Sequence, residues 1–398
     1  MAFDAFAPHP APGRPLRVAL FSGNYNYTVD GANKALNRLV QHLEDVEGAR
    51  VRVYSPTAPV AAFAPRGELV SAPSFQIPGR PDYRMAMGLS PAIRRDVAAF
   101  APDIVHVSAP DLLGAGAVKL ARRMGVPAVA SLHTLFETYL DYYGLGWLRP
   151  AVEQRLRAFY ASCDYVLAPT PAIAARLRAE GLGDRMRVWA RGVDRELFDP
   201  ARRDMAWRRA QGFDDARPVI VSFGRLVMEK GLATFADTID AIEAASGPVQ
   251  VLVVGDGPAR PWMEQRLPRA VFTGFLSGEA LASAIAAGDI LLNPSKTETF
   301  GNVTLEAMAA GLAPVCADAP NNRFLLTHGR TGLICPADDA AAYAQAIRGL
   351  IDTPAALQGL QAAARAESAA YSWSRILDAV VGVYREATAI DTVQARAA

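Results

Sequence analysis

The chain has 398 residues, too many for one ordinary core and suited to two domains. It is 51% apolar and 20% charged, and 41 Lys plus Arg against 40 Asp plus Glu leave a net charge of +1, which argues against a large nucleic-acid footprint. No run reaches the ~18–20 apolar residues of a membrane helix, and Cys163, Cys316 and Cys335 form neither a close pair nor a metal-type pattern, so they read as buried thiols in a reducing cytosol.

Residues 1–15 are rich in Ala and Pro and lack the charged start and continuous apolar stretch of a signal peptide; a loose tail is expected there. Residues 16–21 form an apolar run ending in Ser22-Gly23. A polar loop to Lys34 follows, then helical spacing through Leu36, Leu39, Val40 and Leu43. Strand, glycine-bearing turn and helix open a doubly wound sheet. Further strands are expected over 51–54, 103–107, 127–132, 164–168 and 186–189. Helices are expected over 112–124 and about 149–161, with another opened by Pro171. His106 falls mid-strand, where a satisfied buried histidine is the expectation. His133 follows the strand 127–132 and starts a long loop carrying Phe136, Tyr139, Tyr142 and Tyr143, whose apolar bodies and polar tips suit sugars or lipid headgroups. Arg94, Arg95, Arg149, Arg155 and Arg157 read as solvated helix faces, with an anionic membrane surface as the alternative.

After an arginine-rich connection to Asp215 the rhythm restarts. Strands are expected over 218–223, 249–254, 270–273, 290–292 and 313–316, and helices over 280–287 and 303–310. Two such series predict an α/β protein of two Rossmann-like, doubly wound parallel-sheet domains facing a cleft. Ligands of such sheets sit beyond the carboxyl ends of the strands. Segment 373–387 has helical spacing and either finishes the second lobe or crosses back to the first. The expected domains are 16–195, completed by 374–390 in the second case, and 196–373.

The most informative segment runs from Lys296 to Met308. A loop bearing Glu298 enters a helix bearing Glu306, and Gly301, Asn302 and Val303 fall at the helix start, where amides without intrahelical partners attract phosphate. Carboxylates at these positions are able to grip sugar and ribose hydroxyls, since each accepts bidentately. The plainer reading makes Glu298 a cap and Glu306 a solvated side chain. Gly255-Asp256-Gly257-Pro258 lacks the third glycine of a dinucleotide fingerprint, because Arg260 stands in its place.

The string Thr297-Glu298-Thr299-Phe300-Gly301-Asn302-Val303-Thr304-Leu305-Glu306 resembles the signature of the retaining glycosyltransferases of family 4, which have the GT-B fold. The resemblance runs from Arg17 to about Trp373. It implies that Arg225 and Lys230, in Phe223-Gly224-Arg225-Leu226 and Glu229-Lys230-Gly231, clamp a diphosphate. It implies that Phe275 and Leu276 wall a nucleobase, with core positions as their alternative, and that Gly31 lets backbone approach the donor; Gly255 then reads as part of a tight turn near the nucleotide, with a plain structural turn as the alternative. It implies that His133 and Glu298 bind the transferred hexose and that Glu306 binds the ribose. The first domain is then the acceptor side and the second the nucleotide-sugar side. Val188 to Asp194 and the Glu298 segment look most like the branch of GDP-mannose-dependent mannosyltransferases and sulfoquinovosyl-diacylglycerol synthases, whose acceptors are often lipids. The expectation is a cytoplasmic hexosyltransferase, with peripheral contact at the inner face of a membrane where the acceptor is a lipid. It uses a nucleotide-sugar donor and a hydroxyl acceptor; no Asp-any-Asp motif is present, so no essential metal or other cofactor is expected. A UDP-hexose donor, a sugar-nucleotide epimerase, a nicotinamide dehydrogenase and a non-catalytic sugar-nucleotide sensor are the alternatives.

Overall fold

The computed structural model describes residues 14–28, 31–77, 80–133 and 146–397. The expected tail up to residue 13, Val29 and Asp30 just before Gly31, and the aromatic loop from Phe136 to Gly144 lie outside the described residues. The contacts divide the chain into two compact units, the first running to Ala190 and resuming at Ile376, the second being Arg191–Arg375.

In the first unit seven strands run parallel in the order β3-β2-β1-β6-β7-β8-β9. They are β1 (Arg17–Phe21), β2 (Arg50–Ser55), β3 (Glu68–Ser71), β6 (Ile104–Val107), β7 (Ala128–Ser131), β8 (Tyr165–Ala168) and β9 (Met186–Val188). A separate antiparallel pair joins β4 (Ser74–Ile77) to β5 (Arg80–Ala86). The central strands β6, β7 and β8 are buried throughout, as a sheet covered by helices on both faces requires, and this is why their sequences are apolar apart from His106 and Ser131. Two of the unit's helices, for example, begin at side-chain caps. The Asp111 carboxylate accepts from Gly114 N at 2.7 Å to begin Leu112–Met124, and Gly125, at φ 64°, ends it. Thr170 accepts from Ile173 N ahead of Pro171–Leu177.

The second unit holds six parallel strands in the order β12-β11-β10-β13-β14-β15. These are β10 (Val219–Phe223), β11 (Gln250–Val254), β12 (Val271–Gly274), β13 (Ile290–Asn293), β14 (Ala313–Ala317) and β15 (Leu333–Cys335). The arginine-rich connection before β10 is ordered around one side chain. Arg208, 0% exposed, donates to Ala287 O at 2.7 Å, to Arg217 O at 2.8 Å and to the Asp289 carboxylate at 3.0 Å. Paired in this way the buried charge is tolerable.

Four strands and a helix escape the sequence pattern. β3 is a half-exposed edge, β4 and β5 carry no continuous apolar run, β15 has three residues, and Pro91–Phe100 buries only Ile93, Val97 and Phe100. The last helix, Trp373–Ala397, belongs to the first unit from Ile376 onward. Among the described residues no helix is long and apolar enough to cross a membrane. Arg94, Arg95, Arg155 and Arg157 are exposed on helix faces, and Arg149 pairs with Glu153 at 2.8 Å. All three cysteines are buried and unbridged, and burial pushes the Cys163 and Cys316 thiols up to about 12.

Candidate functional site

In the second sheet the chain builds outward from β10 to β11 and β12, then returns to add β13 on the other side. Loops leaving β10 and β13 therefore diverge, and a crevice opens at their carboxyl ends. A cavity of about 270 Å³ lies there, walled by Gly224, Arg225, Lys230, Asn293, Pro294, Glu298, Asn302 and Val303 among others. Five of the residues singled out in the sequence thus meet in one place.

Local chemistry explains the meeting. Lys230 ends a short turn, Met228–Lys230, and Gly231 then takes φ 77°. A Cβ on Gly231 would stand 2.8 Å from Pro294 O, so glycine allows this turn to press against the loop after β13. Across that contact Lys230 Nζ donates to Glu298 Oε1 at 2.5 Å, Ser295 Oγ donates to the same oxygen at 3.4 Å, and Thr297 Oγ1 donates to Glu229 O at 3.3 Å. Arg225 reaches Glu229 only at 4.0 Å, and its side chain is 60% exposed.

The loop after β13 is held by Phe300, buried edge-on against Phe324 and Tyr371. Gly301 follows at φ 101° and precedes the helix Asn302–Ala309, whose start has no side-chain cap. Its first amides are the helix-start groups that attract anions. Glu306 sits within this helix, half-buried, and is not part of the cavity wall. Gly255, at φ 143°, lies beside Gly224, and a Cβ there would stand 1.9 Å from Gly224 O. Backbone packing alone thus demands glycine at that position. Phe275 and Leu276 follow β12; Phe275 is 71% exposed and Leu276 half-buried, so Phe275 is no core residue.

Gly31 and His133 belong to the first unit. Gly31 is exposed and begins the helix Gly31–Asp45. His133 lies two residues past the end of β7, and its Nε2 is 2.8 Å from Ser131 Oγ. Its ring meets Trp189 edge-on at 5.3 Å. His106, expected to be buried and satisfied, is 0% exposed and bonds Tyr384 and Ser131, and burial pushes its imidazole down to about 3. The roles of Ser131, Ser295 and Tyr384 have no local signal. Tyr384 meets His106 across 278 residues of chain.

Two family profiles match the chain, one described as Glycosyltransferase Family 4 over residues 29–197 and one as Glycosyl transferases group 1 over residues 217–353. A GDP-mannose-dependent alpha-mannosyltransferase of Mycobacterium tuberculosis is 32% identical over 392 residues, covering 96% of this chain and 99% of that protein. Sulfoquinovosyl transferase SQD2 of Arabidopsis thaliana is 30% identical over 369 residues, covering 90% of this chain and 71% of that one. Among solved structures, a sucrose-phosphate synthase from Thermosynechococcus elongatus superposes with a TM-score of 0.74 at 22% identity, covering 94% of this chain and 100% of that one. Anabaena HepE in complex with UDP and glucose gives 0.71 at 18% identity, covering 93% and 100%.

Proposed function

The chain belongs to glycosyltransferase family 4, with the GT-B pair of Rossmann-like sheets and retaining, nucleotide-sugar-dependent hexosyl transfer, and from that premise we propose that it moves mannose from GDP-mannose to a hydroxyl of a lipid or glycolipid. The donor rests on the 32% identity, over nearly the whole length of both chains, to a GDP-mannose-dependent alpha-mannosyltransferase. The lipid acceptor rests on the resemblance of residues 188–194 and the Glu298 segment to a branch whose acceptors are often lipids.

One observation carries the assignment of the site: two cations, a carboxylate and an uncapped helix start share a cavity at the point where the second sheet reverses its strand order. In this reading Arg225, Lys230 and the amides of Gly301, Asn302 and Val303 hold the diphosphate. Fixed cations there stabilise the negative charge that grows on it as it leaves. Glu298 accepts from hydroxyls of the hexose, and Glu306 from those of the ribose. Phe275 and Leu276 flank the base, with Gly255 in the adjoining turn. Gly31 and His133 serve the donor from the first unit. The acceptor oxygen bonds to the anomeric carbon on the face from which the diphosphate departs. The carbon–phosphate-oxygen bond breaks, and the acceptor's proton passes to the departing phosphate oxygen. No side chain becomes a covalent nucleophile, so configuration is retained by same-face displacement.

The test is a thermal-shift comparison of GDP, GDP-mannose, UDP and UDP-glucose. A ligand that binds only the folded state raises Tm by mass action, by about 2.7 kcal/mol of stability at one hundred times its Kd. Stabilisation by the guanine pair, followed by mannosyl transfer to a lipid extract, supports the proposal. Stabilisation by the uracil pair alone overturns the donor.

A further inference from the structure

We propose that Tyr384, His106 and Ser131 form a directional hydrogen-bond relay that fixes His133 as its Nδ1–H tautomer, making the three positioning residues for His133. The proposal rests on the reading above in which His133 serves the sugar donor. It goes further in assigning a proton to one atom and a function to the helix that returns to the first unit.

The direction of the relay follows from burial. The Tyr384 hydroxyl is enclosed, with 0% of the residue exposed, and its partner is His106 Nδ1. A buried O–H left without an acceptor costs about 1–3 kcal/mol, so Tyr384 donates and Nδ1 accepts. Burial keeps the His106 ring neutral. A neutral imidazole carries one proton, which then sits on Nε2 and is donated to Ser131 Oγ at 2.8 Å. Having accepted from His106, the Ser131 hydroxyl gives its own proton to its other partner, His133 Nε2, also at 2.8 Å. That nitrogen is therefore an acceptor, and the neutral His133 ring carries its proton on Nδ1. Each step uses one donor and one acceptor, and no proton in the chain is left over.

Two further contacts make the arrangement rigid. Trp189, 1% exposed, stands edge-on to both imidazoles, 5.8 Å from His106 and 5.3 Å from His133. Ser131 is the last residue of β7 and His106 lies inside β6, so neighbouring strands of one sheet set their spacing. Tyr384 comes from the last helix, beyond Ile376. That helix thus reaches a residue proposed to meet the sugar through two hydrogen-bonded side chains. A ring held as one tautomer presents one fixed donor and one fixed acceptor, so its polarity towards its surroundings is set.

The experiment reads the tautomer directly. Full-length protein is labelled with ¹⁵N in its histidine rings, and long-range proton–nitrogen correlation spectra are recorded, with the His133 signals identified by their loss in His133→Gln. The wild type should show the Nδ1–H pattern at His133. Ser131→Ala should turn it into a mixture of tautomers and lower kcat by about tenfold, the equivalent of one net hydrogen bond, with the KM for donor nearly unchanged; Ser131→Thr, which restores the hydroxyl, should recover both. Tyr384→Phe removes only the hydroxyl oxygen and should shift the His133 pattern in the same direction. An Nε2–H pattern in the wild type, or an unchanged pattern in both Ser131→Ala and Tyr384→Phe, overturns the relay. A changed pattern with wild-type kcat in Ser131→Ala overturns its positioning role. His133→Ala is assayed separately: a wild-type rate there fails the reading of His133 as a donor contact, while the spectra still decide the relay.

Discussion

Lys230 Nζ lies 2.5 Å from Glu298 Oε1, joining the loop that follows β10 to the loop that follows β13 across 68 residues of sequence. The pair couples the cation proposed for the phosphate to the carboxylate proposed for the sugar. Neither side chain is deeply buried, at 27% and 19% exposed, so the pair is open to an incoming ligand.

Replacing Glu298 with Gln keeps the size of the side chain and removes its charge. We expect turnover to fall by about 10²–10³-fold, the scale of losing one fixed electrostatic contact in a transition state. Lys230→Ala should raise the donor KM as well as lower kcat. Because the two side chains touch, the double variant should lose less than the product of the single losses. Steady-state kinetics on the three variants checks this, and near-normal turnover in Glu298→Gln ends its assigned role.

Gly255→Ala tests packing rather than chemistry. The new methyl would lie 1.9 Å from Gly224 O, at a φ of 143° that side chains rarely adopt. Gly224 N and Gly255 N also donate to Val254 O and Gly274 O, both at 2.9 Å, so the backbone has little room to retreat. A loss of about 3 kcal/mol is expected, read as a lower midpoint in urea. An unchanged midpoint would mean that the two loops shift freely.

His106 makes the first unit sensitive to acid. Its folded value is held near 3 against 6.5 in the open chain, so between these limits the unfolded state binds a proton that the folded state does not. Its contribution is complete above about pH 6.5 and is lost as pH falls toward 3, at up to ~1.4 kcal/mol per pH unit. Burial raises the Asp111 carboxyl, which acts in the opposite sense at lower pH, so the comparison is made between variants. Urea midpoints at pH 7 and pH 5 should differ less in His106→Gln than in the wild type. Equal differences would place the titrating group elsewhere.

The strand rhythm was legible because parallel strands buried on both faces are mostly apolar, as in Ile104–Val107 and Ile290–Asn293, where His106 and Asn293 are the polar exceptions. The edges escaped for the converse reason: Glu68–Ser71 and Leu333–Cys335 are short and only partly covered. The positions of Arg225, Lys230 and Glu298 were also legible, since each follows a strand in a loop where a doubly wound sheet gathers its ligand. The mid-strand location of His106 announced a buried, satisfied ring.

What sequence determined by itself was therefore local: which apolar runs are strands, where the longer helices lie, and which polar residues stand at strand ends. Tertiary structure alone decided what those residues touch. Nothing near Glu298 in the chain names Lys230 as its partner, nothing near Gly255 reveals that a carbonyl fills the space of its missing Cβ, and nothing near His133 points to Tyr384. Periodicity is set by the few residues of each element, whereas a contact depends on how every element between two residues packs.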